Sequence, residues 1–279
     1  MRRPACALLV AFSVLPLGAE CPKPGGGETD APIVSNPNRP TVSNPADVTQ
    51  YGVLEVEYGW ARAWPGAGNR SDLFEGLFRF GLLCDLELRW TTDTFIGMTD
   101  SGRRQRGLGD NWTGFQYRFH RQSPRLPSMA FTYALKEATA SPEKGLGSGR
   151  PDHFLGYLAS KDIHEFHGDF NVNYLLAGRA RAPGHDRNAQ FALAVSHALK
   201  GPFGITGELY GNTRLNDDHP AFGSTLCVVN YNVNPRLTLD VAIDVGLTSG
   251  APRKRLLAGV TYALGQIYRG LKEHPGFIE

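Results

Sequence analysis

Strict alternation of apolar and polar residues is the feature that most constrains the fold of this chain. Residues 236–250 read RLTLDVAIDVGLTSG, with apolar side chains at every second position from Leu237 to Leu247 and with Asp240 and Asp244 between them. A period of two predicts a β-strand whose alternate side chains lie on opposite faces of a sheet. In an ordinary β-sandwich the charged face would meet bulk water, which is the simplest alternative to any other interpretation.

The same alternation recurs along most of the chain. We count about twelve such segments of roughly ten residues, the length that a tilted strand needs to cross a bilayer. Clear cases are VLEVEYGWAR at 53–62, DLELRWTT at 85–92 and EFHGDFNVNYLL at 165–176. The mean hydropathy is −0.28, and no stretch beyond the N-terminus approaches the roughly 20 apolar residues of a membrane helix. The pattern therefore excludes a helical membrane protein.

The connections between these segments alternate between long and short. AWPGAGNRS at 63–71, FIGMTDSGRRQRGLGD at 95–110 and EATASPEKGLGSGRP at 137–151 follow odd-numbered segments, whereas LC, KGP and NP follow even-numbered ones. Outer-membrane barrels have short periplasmic turns on one rim and long extracellular loops on the other. Closure is required because an open sheet edge in hydrocarbon leaves backbone groups unpaired. The sequence thus predicts an all-β fold, a transmembrane antiparallel β-barrel of about 12 strands with a polar lumen.

The ends of the chain differ from this barrel region, which we place at residues 51–268. Residues 1–19 combine Arg2 and Arg3 with a short apolar run and small residues at 18 and 19, which predicts a cleaved signal peptide and export to the bacterial outer membrane. Residues 20–50 are rich in Pro, Gly and Asn and contain VSNP twice. We expect a periplasmic linker or an extended strap that partly plugs the lumen. Residues 269–279 form a C-terminal tail.

The charged face should hold the functional residues. Nine carboxylates and four cations take the inward phase, and the pattern allows two interpretations: they neutralise one another as cross-strand pairs, or unpaired members line a constriction that selects solutes. A barrel of about twelve strands lies between the filled eight-strand barrels and the open large porins, so we expect a narrow pore. The predicted pore-lining residues are Glu55, Glu57, Glu75, Arg79, Asp85, Glu87, Arg89, Arg118, Lys136, Asp169, Glu208, Asp240 and Asp244.

Motifs for catalysis or metal binding are weak in this sequence. HEFH at 164–167 is one residue short of H-E-x-x-H, and Ser196 and His197 are neighbours that lie on opposite faces of a strand. We therefore predict no catalytic residue, no metal and no cofactor. Cys84 and Cys227 are interpreted as small apolar residues of the wall, since a lone distant pair gives no disulfide framework.

Several stretches together resemble a known family. RPTVSNPADV at 39–48, GLGDNWTGFQYRF at 107–119, YLASKDI at 157–163 and RLTLDVAIDVGL followed by RKRLLAGVTYALG are similar to the MetA-pathway of phenol degradation family of outer-membrane transporters. The resemblance rests on strand and turn texture across most of the mature chain. It implies an outer-membrane β-barrel that passes small organic molecules, aromatic ones among them.

The function predicted from these features is passive uptake of small organic solutes through a narrow polar lumen. Two alternatives stay open: a membrane-embedded lipid hydrolase of the outer-membrane phospholipase type, and a closed structural or adhesive barrel. The expected partners are outer-membrane lipid, lipopolysaccharide at a basic cluster of Arg103, Arg104 and Arg106, and the solute. Without the two signal-peptide arginines, 27 basic residues balance 27 acidic ones, so no nucleic acid is expected, and a monomer is favoured.

Overall fold

The computed structural model describes residues 32–180 and 182–267, so the predicted signal peptide and the C-terminal tail lie outside the described residues. The described residues form thirteen strands and one short 3₁₀ turn, Pro142–Lys144. None of them forms a helix long and apolar enough to span a bilayer. The strands, in chain order, are β1 Val53–Gly66, β2 Asn69–Leu83, β3 Leu86–Asp100, β4 Arg103–Gly107, β5 Asn111–His120, β6 Ser128–Glu137, β7 Asp152–Ile163, β8 Phe166–Gly178, β9 His185–Ala198, β10 Phe203–Asn212, β11 Phe222–Asn234, β12 Leu237–Gly246 and β13 Lys254–Gln266.

These strands close into one antiparallel barrel of twelve wall positions. Apart from β4 and β5, each strand pairs with its neighbours in sequence, and β1 pairs with both β2 and β13, which closes the barrel. β4 and β5 both pair with β3, at 96–100 and at 86–92, so together they occupy one position in the wall. The predicted fold class and strand number are confirmed.

The two faces of the wall differ as the alternation predicts. In β12, Val241 is 57% exposed and Ile243 47% exposed on the outer face, whereas Asp240 and Asp244 are buried on the inner face. The exposed apolar residues of the other strands continue this outer surface around the barrel. A continuous apolar exterior around a polar interior is the arrangement that a membrane-spanning barrel requires.

Several strands are longer than the ten residues expected, so the predicted long loops at 63–71 and 95–110 are wrong and consist largely of strand. β1 has 14 residues and β2 has 15, so most of AWPGAGNRS at 63–71 belongs to these strands and only Ala67 and Gly68 form the turn between them. In the same way, β3 and β4 are joined by a two-residue turn, Ser101 and Gly102. All four turn residues have positive φ, which matches the turn type that suits the twist of paired strands. Pairing continues at this rim because it keeps the backbone groups hydrogen-bonded.

The two rims of the barrel still differ clearly. One rim, here the turn rim, carries the connections at 84–85, 121–127, 164–165, 199–202 and 235–236. The opposite rim, here the loop rim, carries the two hairpins just described and the longer connections at 138–151, 179–184, 213–221 and 247–253. β1 begins and β13 ends at the turn rim.

The cysteines depart in part from their interpretation as wall residues. Cys227 is a free, exposed thiol in β11. Cys84 lies in the turn between β2 and β3 and is disulfide-bonded, so its interpretation as an unbonded residue of the wall is wrong. A pattern of spacings could not reveal this bond, because pairing depends on which residues the fold brings together.

Candidate functional site in the barrel lumen

Residues 32–50, here called the strap, pass through the lumen of the barrel. Their hydrogen bonds and ion pairs reach strands on every side of the wall, which is possible only from the inside. The partners belong to β1, β2, β3, β5, β6, β7, β8, β10, β12 and β13, and they are Glu55, Glu57, Arg79, Glu87, Gln116, Arg118, Ser128, Ser160, Asn171, Glu208, Thr238, Asp240 and Ala258.

Inward carboxylates hold the strap by its backbone. The strap has no strand partner, so its N–H groups need other acceptors when they are buried. The Asn38 and Arg39 N–H groups donate to Glu57 at 3.0 and 2.9 Å. The Val42 and Ser43 N–H groups donate to Glu208 at 2.9 and 2.6 Å. Each carboxylate therefore takes the place of a neighbouring strand.

The two VSNP copies make equivalent contacts on different strands. The Asn36 N–H donates to Glu55 at 2.8 Å, and the Asn44 N–H donates to the Asn171 side chain at 2.7 Å. Asn171 returns a hydrogen bond to the Asn44 carbonyl at 2.9 Å. The repeat thus marks two anchor points of the strap.

Arg79 lies at the centre of a fully buried ion cluster on β1, β2 and β3. Its guanidinium pairs with Glu55 and lies 2.8 Å from Glu57 and 3.7 Å from Glu87. It also donates to the Asn36 carbonyl of the strap. Three buried carboxylates around one cation are costly to desolvate, and they persist here because they also bind the strap backbone.

Arg39 of the strap occupies a notch in the wall that two glycines create. Gly59 and Gly259 are directly paired across β1 and β13. A Cβ added at Gly59 would lie 1.7 Å from the guanidinium of Arg39, and one at Gly259 would lie 2.2 Å from it. In this notch Arg39 is 2.9 Å from Asp240 and donates to the Ala258 carbonyl at 3.1 Å.

Toward the loop rim the charged groups pair within the wall. Lys136 lies 2.6 Å from Asp152 and 3.4 Å from Asp110. Across the lumen Arg255 pairs with Asp244, whose carboxylate also accepts a hydrogen bond from Tyr210. These ion pairs form without the strap.

At the turn rim a second ionic cluster holds the far end of the strap. Asp85 lies in the turn between β2 and β3 and accepts hydrogen bonds from Arg118 and Arg121 at 2.7 and 2.9 Å. Arg118 also reaches Asp47 of the strap at 2.5 Å. Burial alone would raise the pKa of the Asp85 carboxyl, but the hydrogen bonds from Arg121 and Arg118 outweigh it and lower that pKa below its ordinary value.

A cavity of about 280 Å³ remains between the strap and the wall. Its wall residues come from β1, β2 and β13, and its floor is residues 38–44 of the strap. Both apolar and charged side chains line it. The wall residues that matter here are Glu57, Leu73, Glu75, Leu77, Arg255 and Leu257.

The thirteen predicted residues lie around this lumen, with one exception. Asp85 lies in a turn at the rim, outside any strand. Glu75, Arg89 and Arg118 are half-buried on the inner face. The remaining nine are buried on the inner face: Glu55, Glu57, Arg79, Glu87, Lys136, Asp169, Glu208, Asp240 and Asp244.

Sequence reasoning missed the neutral groups that bind the strap. Asn171, Gln116 and Ser160 are buried and inward, and Ser160 accepts from the Ala46 N–H at 2.7 Å while donating to Asp169 at 2.6 Å. Their inward phase was readable from the alternation. Their role was not, because it depends on where the strap crosses.

Comparisons with known proteins show the fold. An outer-membrane channel from Pseudomonas putida F1 matches with a TM-score of 0.63 and 12% identity, covering 78% of this chain and 97% of that chain. The NanC porin matches with a TM-score of 0.50 and 12% identity over 76% and 100% of the two chains. The translocator domain of the autotransporter NalP from Neisseria meningitidis matches at 0.50 and 10% over 75% and 88%.

No family model matches the chain, and no curated protein matches it. The likeness is therefore one of architecture. The protein has the fold of the outer-membrane β-barrels, with a strap of its own chain across the lumen.

Proposed function

We propose that the protein is an outer-membrane channel through which small organic solutes pass by diffusion. The observation that carries the proposal is the lumen itself, which is lined by charged and amide side chains on all sides and keeps a cavity beside the strap. A polar lined lumen in an apolar shell is what a solute pathway needs. Porins and channels among the structural neighbours support the same class of function.

The membrane placement follows the same proposal. The short connections of the turn rim would face the periplasm and the loop rim the exterior, as in other outer-membrane barrels. Lipid would then contact the apolar outer face. Arg103, Arg104 and Arg106 on β4 would lie at the level of lipopolysaccharide phosphates. We propose a monomer and, from the family resemblance, aromatic compounds as the first solutes to test.

Single-channel recording in a planar bilayer tests the proposal. We expect small, stable current steps, because the strap narrows the pathway at the turn-rim half. The closed structural barrel is the competing function that the structure favours most, since the strap is hydrogen-bonded to so many strands. Silence from the wild type and from variants with a weakened strap would support the closed barrel.

The lipid hydrolase is weaker on geometric grounds. The Ser196 hydroxyl is hydrogen-bonded to Thr206 at 2.9 Å. The His197 ring stacks on the exposed Phe166 and hydrogen-bonds the Glu165 carbonyl on the other face of the strand. A nucleophile and its base need to be within hydrogen-bond reach of each other. Lipid hydrolysis by the purified protein would overturn this ranking.

A further inference from the structure

The lumen cavity contains one carboxylate that has no direct partner. Among the described residues, Glu57 pairs with Arg79, Arg39 pairs with Asp240, and Arg255 pairs with Asp244. Glu75 lines the same cavity and makes no hydrogen bond or ion pair within the described part of the chain; the guanidinium of Arg39 attracts its carboxylate at longer range but is already paired with Asp240. Glu75 is therefore the carboxylate of this cavity that is available to pair with a solute.

A second carboxylate lies next to Glu75 across the strands. Glu75 and Asp93 are directly paired between β2 and β3, and both take the inward phase. Asp93 likewise makes no side-chain hydrogen bond or ion pair within residues 32–180 and 182–267, and the charged groups that act on it are the carboxylates Glu75 and Asp110. Like charges directly opposite each other destabilise a sheet, whereas the other inward carboxylates in the described part of the chain have partners. The two adjacent carboxylates give this part of the lumen a negative potential that a cationic solute would complement.

The surroundings of Glu75 restrict the kind of cation. Leu73 and Leu77 flank Glu75 on the inner face of β2, and Leu257 lines the cavity from β13. Apolar walls do not stabilise a hydrated metal ion, whereas they stabilise the apolar part of an organic cation by removing it from water. The volume of about 280 Å³ is just below the range of sites for drug-sized ligands, so the solute must be small.

We propose that this cavity binds a small organic ammonium ion, with its cationic group on Glu75 and its apolar body against Leu73, Leu77 and Leu257. The proposal rests on the proposed channel function, since it names the solute class that the lumen selects. Glu75 is the group that contacts the solute. Asp93 adds negative potential at the same level.

Equilibrium binding to the full-length protein in detergent micelles tests the site without requiring conduction. Three probes share a phenyl ring on a short carbon chain and differ in charge: phenethylammonium, 2-phenylethanol and phenylacetate. We expect phenethylammonium to bind most tightly at neutral pH. Glu75→Gln, which is nearly isosteric, should weaken that binding about tenfold or more, because a charge-assisted hydrogen bond is lost.

Glu143→Gln is the matched control. Glu143 is exposed in the connection at 138–151 of the loop rim, so this variant changes the net charge equally but lies outside the cavity. Its affinity for phenethylammonium should equal that of the wild type. Retention of the heat-sensitive migration of the folded barrel on gels would show that Glu75→Gln folds.

Three outcomes would overturn the inference: equal affinity of the wild type and Glu75→Gln for phenethylammonium, phenylacetate binding as tightly as the cation, or calcium ions that displace phenethylammonium and bind more tightly than it does. Bilayer recording separates this from the channel proposal. Charge-selective, Glu75-dependent binding without current steps would support the site and contradict the channel. Current steps with Glu75-independent binding would do the reverse.

Discussion

The two halves of the lumen use similar charged residues for different purposes. In the turn-rim half, Glu55, Glu57 and Glu208 accept hydrogen bonds from strap N–H groups. These wall carboxylates thus supply the acceptors that the strap lacks because it has no strand partner. In the loop-rim half, charges pair within the wall or, like Glu75, remain unpaired beside a cavity.

This difference shows that inward charge alone does not identify a solute-binding residue. A buried carboxylate that accepts several backbone N–H groups serves the structure, and its removal should loosen the strap. A carboxylate that has neither such donors nor a paired cation is available to a solute. The two classes predict different consequences for the same Glu→Gln change.

The largest effect should follow from loss of the cation at the centre of the turn-rim half. Arg79→Met leaves Glu55, Glu57 and Glu87 buried without their shared partner. Breaking a buried ion pair by removing one member costs about 3–5 kcal/mol of unfolding free energy. Urea unfolding of the barrel, followed by gel migration or tryptophan fluorescence, measures this cost.

Arg70→Met on the same strand is the control for Arg79→Met. Arg70 lies 3.5 Å from Asp72 and is 45% exposed, and exposed pairs contribute about 0–1 kcal/mol. Equal destabilisation by both variants would mean that the buried cluster does not stabilise the turn-rim half, and the contrast between the halves would fail.

An intermediate effect is expected where the strap crosses β10. Glu208→Gln removes the charge that accepts the Val42 and Ser43 N–H groups and the Ser43 hydroxyl. Hydrogen bonds to a charged group contribute about 1.5–3 kcal/mol, so the strap should leave the wall about tenfold more often. Single-channel recording should show larger or more frequent openings.

Glu165→Gln makes the same change of charge at the turn rim. Glu165 lies in the connection between β7 and β8 and is exposed, away from the strap. Its conductance should match that of the wild type. If Glu208→Gln also conducts like the wild type, the strap does not limit passage, and the proposed role of the turn-rim half as the narrow part is wrong.

The sequence alone predicted the wall far better than the interior. A period of two fixes which face of β12 carries Asp240 and Asp244, because side-chain direction in a strand is a local property. The path of the strap depends on residues far apart in the sequence, since Val42 contacts Glu208 across 166 residues. The strap stretch SNPNRPTVSNP also lacks the alternation of apolar and polar residues that predicts side-chain direction in a strand. The strand extensions beyond Ala63 were missed because Pro and Gly there suggested a loop.

Two signals in the sequence could have located the strap more closely. The paired VSNP copies mark anchor points whose Asn N–H groups bind the wall. Gly59 and Gly259 interrupt otherwise clear strands, and a glycine inside a strand often marks close approach of another group. Both signals become interpretable only when the register that pairs the two glycines is known.

The smallest effect should appear at the turn rim, where the strap ends in a partly exposed ionic cluster. The hydrogen bonds from Arg121 and Arg118 lower the pKa of Asp85, so its ionised form is favoured in the folded state.

A lowered folded-state pKa contributes stability that is complete above the ordinary value of about 4 and is lost as the pH falls below it. Asp85→Asn should therefore lower the urea midpoint slightly near neutral pH, and the variant and the wild type should converge as the pH falls through the lowered folded-state pKa of Asp85. Asp218→Asn, in the exposed connection at 213–221 of the loop rim, should match the wild type at every pH. A gap between Asp85→Asn and the wild type that persists in acid would show that the carboxylate charge is not what holds this end of the strap, and that the amide itself disturbs the turn.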